Sequence, residues 1–272
     1  MITIRYGYDF LIECPKPTPL ICMLDMRQER QADVMQGDGF HTDPAITSTI
    51  YRDAFGNACR RLVAPKGTLR MWSQGIVRDT GSEDWIDLAA QECAVQDLPD
   101  DTLMFLLGSR YCETDRISQR AWDMFGTLAP GWGRVQAISD FVHGHITFDY
   151  MQARATRTAY EALEERIGVC RDFAPTMIAL CRSMNIPARY VNGYLGDIGV
   201  PVAGPMDYAA WVEVYLGGRW ATFDPRNNAR RIGRIKVAHG RDAADVPLIH
   251  SFGPHVLTRF TVICEQELPL AA

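Results

Sequence analysis

The sequence predicts an α+β protein in which a small all-β unit precedes helices packed on an antiparallel sheet. Three observations predict it. Short β-like runs broken by turn formers fill residues 1–95, the apolar period becomes helical from Cys112, and β-like runs return after Pro187 and continue to Glu267. The expected division is an N-terminal β-sandwich-like domain over 1–95 and an α+β core over 96–272, joined near Ala94–Asp101 (AVQDLPDD).

The early runs are ITIRYGYDFLIEC, PLICMLDMR, STIYRDAFGNACRRLVAP and GTLRMWSQGIVRD. Gly56-Asn57 within the third is a hairpin signal. DRISQRAWDMFG and GRVQAISDFVHGHI then read as helices, the second with Val135, Ile138, Phe141 and Val142 on one face. TRTAYEALEERIG follows. In VCRDFAPTMIALCRSMNIPARYVNGYL, Phe173, Met177, Leu180 and Met184 mark a buried stripe, and Pro187 closes the helix. No internal repeat is visible.

With 272 residues, 47% of them hydrophobic and 22% charged, the chain has the composition of a globular protein. Its net charge of -5 argues against a nucleic-acid partner or an anionic membrane surface. No run approaches the ~18 apolar residues of a spanning helix. The first residues, MITIRYGYDFLIECPKP, lack the basic segment and apolar core of a signal peptide, so a strand and a cytoplasmic chain are expected. Cys14, Cys22, Cys59, Cys93, Cys112, Cys170, Cys181 and Cys264 show no CxxC spacing, which weakens a zinc site or a redox dithiol. All but Cys170 read as small buried hydrophobes. There is no Asp-rich calcium loop.

The stretch YAAWVEVYLGGRWATFDP (Tyr208–Pro225) reads as a hairpin around Gly217-Gly218 in a two-residue primed turn. Its register pairs Leu216 with Arg219 and, moving outward, Trp211 with Asp224. Alternation then puts residue 209 on the Asp224 face as its diagonal neighbour, with Cβ atoms roughly 6–8 Å apart. A histidine there would place one ring nitrogen on the carboxylate and aim the other elsewhere. The residue is Ala209. Geometry alone leaves Asp224 either in that orienting role or simply opening a turn before Pro225.

In GVCRDFA, Gly168 breaks the preceding helix and Cys170 starts the next. A helix start favours a thiolate through its unpaired N–H groups, which can also receive an oxyanion. The bland alternative is a structural cysteine. Pro175, one turn in, removes a donor and would move the true start towards Asp172.

Together, GVCRDFAPTMIALCRSMNIPARYVNGYL, DYAAWVEVYLGGRWATFDPRNN and GRDAADV resemble the bacterial transglutaminase-like proteins of the papain-like thiol superfamily. The resemblance spans roughly Leu103 to Glu267. It implies a papain-like transglutaminase core, thiol-mediated acyl chemistry on an amide through a Cys170 thioester, and no obligatory cofactor or metal. Water as acceptor gives peptidase or amidase action, and an amine gives transamidation. The family's nucleophile falls on Cys170, its orienting carboxylate on Asp224, and its general-base histidine on Ala209. Trp211, Arg171 and Asp172 are expected at the substrate cleft, and the implied partner is a peptide or protein carrying a glutamine or other amide acyl donor. With the base position empty, the chain is expected to be inactive or severely impaired. The rival expectation is a non-catalytic peptide- or protein-binding module using the same cleft. Retention of Cys170, Asp224 and Trp211 favours a deliberate His→Ala change over natural loss.

The remaining histidines offer no confident substitute. His143 and His145 belong to a helix, and His239 is expected on a surface loop. His41 belongs to the first domain. His250 and His255 precede the last strand, within reach of a cleft. EALEERIG reads as a solvated face, and RNNARRIGRIK as a basic run held in salt bridges, with contact to an acidic substrate as the alternative.

Overall fold

A computed structural model describes residues 1–203 and 206–267. The N-terminal unit opens with β1 (Ile2–Cys14), β2 (Thr18–Cys22), β3 (Val34–Gly37), β4 (His41–Asp43), β5 (Ser48–Arg52), β6 (Ala58–Ala64) and β7 (Gly67–Asp79). Long strands form where the sequence alternates: Ile4, Tyr8, Phe10, Ile12 and Cys14 of β1 all point into the core. β1 pairs antiparallel with β7 along its whole length, from Ile2↔Asp79 to Cys14↔Gly67. The Gly56-Asn57 signal lies in the connection between β5 and β6, which pair at Arg52↔Ala58. That connection is longer than a two-residue turn because the Asp53 carboxylate accepts from the N–H groups of Phe55 and Asn57 and from Asn57 Nδ2.

After a helical turn α1 (Asp100–Leu103) come α2 (Thr114–Phe125), α3 (Trp132–His145), β8 (Thr147–Phe148), α4 (Ala159–Glu165), β9 (Ile167–Gly168) and α5 (Cys170–Ser183). α4 begins with a capping box between Thr158 and Glu161. α5 starts at Cys170 with Pro175 inside it, so the proline does not move the start. Every residue from Asp172 to Ser183 is buried, which makes α5 a central helix rather than one with a single stripe. It packs on α2, α3 and α4 and on the sheet formed by β10 (Ala188–Tyr194), β11 (Tyr208–Leu216), β12 (Arg219–Phe223) and β13 (Ile235–Gly240), in the order β12-β11-β10-β13.

The chain then returns to the N-terminal unit. β14 (Ile249–Ser251) pairs with β2, and β15 (Val256–Glu267) pairs with β1 from Glu13↔Val256 to Thr3↔Glu267. The β unit therefore consists of two sheets, β15-β1-β7-β3 with β4 on β7, and β14-β2-β6-β5. Residues 249–267 complete it, which corrects the expected 1–95/96–272 division. Strand order depends on long-range pairing, and β15 carries no local sign of its partner. The two units share one core: Phe10 lies 6.3 Å and Phe260 6.4 Å from Tyr208, and Tyr6 lies 5.6 Å from Tyr194, ring centroid to centroid.

The C-terminal end of α5 is held by Arg182, which is buried. Its guanidinium donates to the carbonyls of Ala188, Leu107 and Arg241 and to Ser109 Oγ. Removing it strands several buried acceptors. Arg182→Ala should lower stability by at least ~3 kcal/mol in urea unfolding, since each orphaned buried group costs ~1–3 kcal/mol. Arg120→Ala, which removes only the solvent-exposed pair with Glu164, should cost less than ~1 kcal/mol. Equal shifts in the two variants would contradict the structural role given to Arg182.

Candidate active site

The start of α5 is built by one carboxylate. Asp172 Oδ2 accepts from the Val169 N–H at 2.9 Å and from Arg157 Nη1 at 3.0 Å. Gly168 makes room for it, because a Cβ there would lie 2.8 Å from the same oxygen. Asp172 is thus a buried cap and ion-pair partner, not a cleft residue as expected.

Cys170, half-buried, opens into a cavity of about 540 Å³ that Ala209 and Ala210 also line. The Ala210 backbone N–H donates to the sulfur. Burial pushes the thiol up to about 11, opposed by Arg226 and the Ala210 N–H and reinforced by Asp207 and Asp224.

The hairpin has the expected register, Leu216↔Arg219 through Val212↔Phe223, with Gly217 and Gly218 at φ 57° and 80°. One step further, Trp211 lies opposite Asp224, which stands just past the end of β12. The residues of β11 that face α5 are Ala210, Val212, Val214 and Leu216. Ala209 and Trp211 instead join Val191 and Leu195 in a small separate cluster. Trp211 is buried there, closed over Gly193, and does not line the Cys170 cavity; alternation along β11 turns it away from α5. Arg171 does line that cavity. Ala209 sits in the wall between this cavity and a second one of about 240 Å³, which Arg226, Asn227 and Asp207 also line.

Asp224 is buried and occupied. It accepts from the Asn227 N–H at 3.1 Å, Asn227 Nδ2 at 2.8 Å and Arg234 Nη2 at 2.9 Å. Arg234 in turn bonds both oxygens of Asp84. A carboxylate has about four lone-pair sites, so one remains, on Oδ1. Asp224 lines a different cavity from Cys170, one of about 220 Å³.

A family model described as the transglutaminase-like superfamily matches residues 119–225, the segment that holds both Cys170 and Asp224. That segment is similar to the transglutaminase-like superfamily. A solved structure from Cytophaga hutchinsonii, a candidate cysteine protease, is 28% identical, superposes with a TM-score of 0.85, and is covered over 92% of its length by 99% of this chain. Uncharacterized protein ML0607 of Mycobacterium leprae is 38% identical over 112 residues, 39% of this chain and 39% of that protein. Uncharacterized protein YebA of Bacillus subtilis is 29% identical over 109 residues, 34% of this chain and 15% of that protein. The match thus covers well under half of either curated relative.

Around this transglutaminase-like site, the histidines divide. His143 Nδ1 lies 3.1 and 3.0 Å from the carbonyls of Pro225 and Arg226, pinning the turn that follows Asp224. His239 is not on a surface loop: it is buried in β13 between Phe55 and Phe105, and burial keeps its imidazole neutral. His255 lines another cavity, with Glu13 and Lys66. His250, exposed on β14, lines the Cys170 cavity. Sequence reasoning missed Asp207 and Arg226. Asp207 stands immediately before β11, two residues ahead of Ala209, and Arg226 follows Asp224 by two. Both spacings were available as signals.

A thiol at about 11 is nearly all protonated at neutral pH, with a thiolate fraction of ~10⁻⁴ at pH 7. Alkylation of Cys170 by iodoacetamide, followed by peptide mass spectrometry, should therefore keep rising up to about pH 11. Ala209→His should move the profile down the pH scale, and Arg226→Gln should move it up. Three superimposable profiles would show that neither position governs the thiol.

Proposed function

We propose that this chain is a thiol acyl-transfer fold that receives a peptide or protein amide at Cys170 and, with alanine at position 209, turns it over very slowly. The observation that carries this reading is the placement of Cys170. It stands at a helix start, takes a backbone N–H at its sulfur, and opens into a cavity of peptide-binding size. Attack forms the Sγ–C bond and places negative charge on the amide oxygen. The Cys170 and Arg171 N–H groups at the helix start have no intrahelical acceptor and are the available oxyanion donors. The thiol proton must leave before attack and return to the departing amine. An imidazole at 209, oriented by the remaining Asp224 lone pair, would do both. The alanine does neither. Water then resolves the thioester in hydrolysis and an amine in transamidation.

The second reading is a binding module, and one observation favours it. Asp224 already has a structural task in the Asp84–Arg234–Asp224 network. Its presence therefore does not by itself imply catalysis, nor does it show how Ala209 arose. All eight cysteines are unpaired, which suits a reducing, cytoplasmic compartment. Among the described residues no helix is long and apolar enough to cross a membrane.

Ala209→His should raise amide hydrolysis or transamidation across a peptide panel by ~10²–10⁴-fold, the usual worth of a general base. Cys170→Ala in that background should abolish the gain. Asp224→Asn should lower thermal stability in both backgrounds, yet reduce turnover further only alongside Ala209→His. No gain from Ala209→His, with activity already present and dependent on Cys170, would place the base elsewhere, and His250 is then the first residue to replace.

A further inference from the structure

Two cations of the Cys170 cavity form no ion pair among the described residues, although Arg171 also lies in the field of Asp172. Arg110 and Arg171 line the cavity, against one carboxylate, Asp207, whose pairing is a bond from the Tyr208 N–H. Both guanidinium groups lie over the ring of Tyr111, 5.3 and 4.2 Å from its centroid. That ring is buried, and its backbone N–H is fixed on Asp242 Oδ2 at 2.7 Å. Arg171 Nη1 is buried with no hydrogen-bond partner, and Arg110 is exposed and forms no ion pair among the described residues.

A shortage of carboxylates does not explain this, since Asp and Glu number 33 against 28 Lys and Arg. Other arginines find acidic partners: Arg230 with Glu83, Arg231 with Asp197, Arg234 with Asp84, and Arg241 with Asp245. A guanidinium stacked on an aromatic ring keeps its in-plane N–H donors free, and these match the two oxygens of a carboxylate.

We propose that Arg110 and Arg171 form a carboxylate subsite beside Cys170, so that the acyl donor bears a carboxylate next to the amide it presents. The inference rests on the reading of Cys170 as the acyl-accepting thiol. The carboxylate belongs either to an acidic side chain or to a chain end, and the apolar part of the cavity, with Ala243, Val246 and Leu248, holds the neighbouring residues.

The test compares anionic iodoacetate with neutral iodoacetamide at low ionic strength. Alkylation is read at Cys170 by peptide mass spectrometry, with the partly exposed Cys93 as internal reference. The ratio of the two rates cancels any change in thiolate fraction. It should be higher at Cys170 than at Cys93, and should fall by about three- to tenfold in Arg171→Gln, as expected for loss of local electrostatic enrichment. Arg110→Gln, at an exposed position, should lower it in the same direction, and salt should erase the difference. Protection of Cys170 against iodoacetamide then identifies the source. Protection by Ac-Ala-Glu-Ala-NH2 indicates a side chain, and protection by Ac-Ala-Ala-Ala-OH a chain end; Ac-Ala-Ala-Ala-NH2 should protect neither wild type nor variant. A ratio unmoved by both substitutions while Cys170 still reacts, or equal protection by all three peptides, overturns the carboxylate subsite and leaves the thiol reading standing. A Cys170 that neither reagent modifies at pH 10, while Cys93 reacts, overturns both.

Discussion

The site depends on one buried oxygen, Asp172 Oδ2, which fixes where α5 begins. It takes the Val169 N–H that would otherwise be orphaned at the helix entrance, and it pairs with Arg157 out of contact with water. Gly168 is small because the carboxylate needs its space. With the entrance fixed, Cys170 is the first helical residue, and its sulfur meets the Ala210 N–H on β11. The far end is held equally firmly by Arg182, so the helix has little freedom to slide along the sheet.

Local chemistry made much of this legible in the sequence. Gly217-Gly218 set the hairpin register, and that register placed Asp224 opposite Trp211 without any knowledge of the fold. Gly168 and the apolar spacing after it marked the helix that Cys170 starts. What stayed hidden depends on partners distant in sequence. Arg234 reaches Asp84 across 150 positions, so Asp224 could not be recognised as part of an ion network. Asp172 and Trp211 lie close to the motif residues in sequence, yet burial turns each away from the cavity. His239 reads as a surface-loop residue in the sequence, whereas β13 pairs with β10 and carries the histidine inside.

Burial dominates the electrostatics around the sulfur. Arg226 and the Ala210 N–H favour the thiolate; Asp207, Asp224 and burial oppose it. In a water-poor cleft burial wins, because desolvation of a small anion outweighs one cation at a distance. On the proposed reading, an imidazole at position 209 would be the close positive partner. Without one, the cavity surrounds a thiol held in its neutral form.

The pairing of β1 with β15 bears on how the polypeptide is made. β1 leaves the ribosome ahead of every other described element, yet one of its two neighbours is encoded by residues 256–267. Throughout synthesis of the helices and of the β10–β13 sheet, that edge of β1 has unpaired backbone groups exposed to other chains. The strand manages the wait with polar outward residues, Arg5, Asp9 and Glu13, among its apolar ones. Long-range closure of this kind is slow and lengthens the time for which the edge is exposed to aggregation.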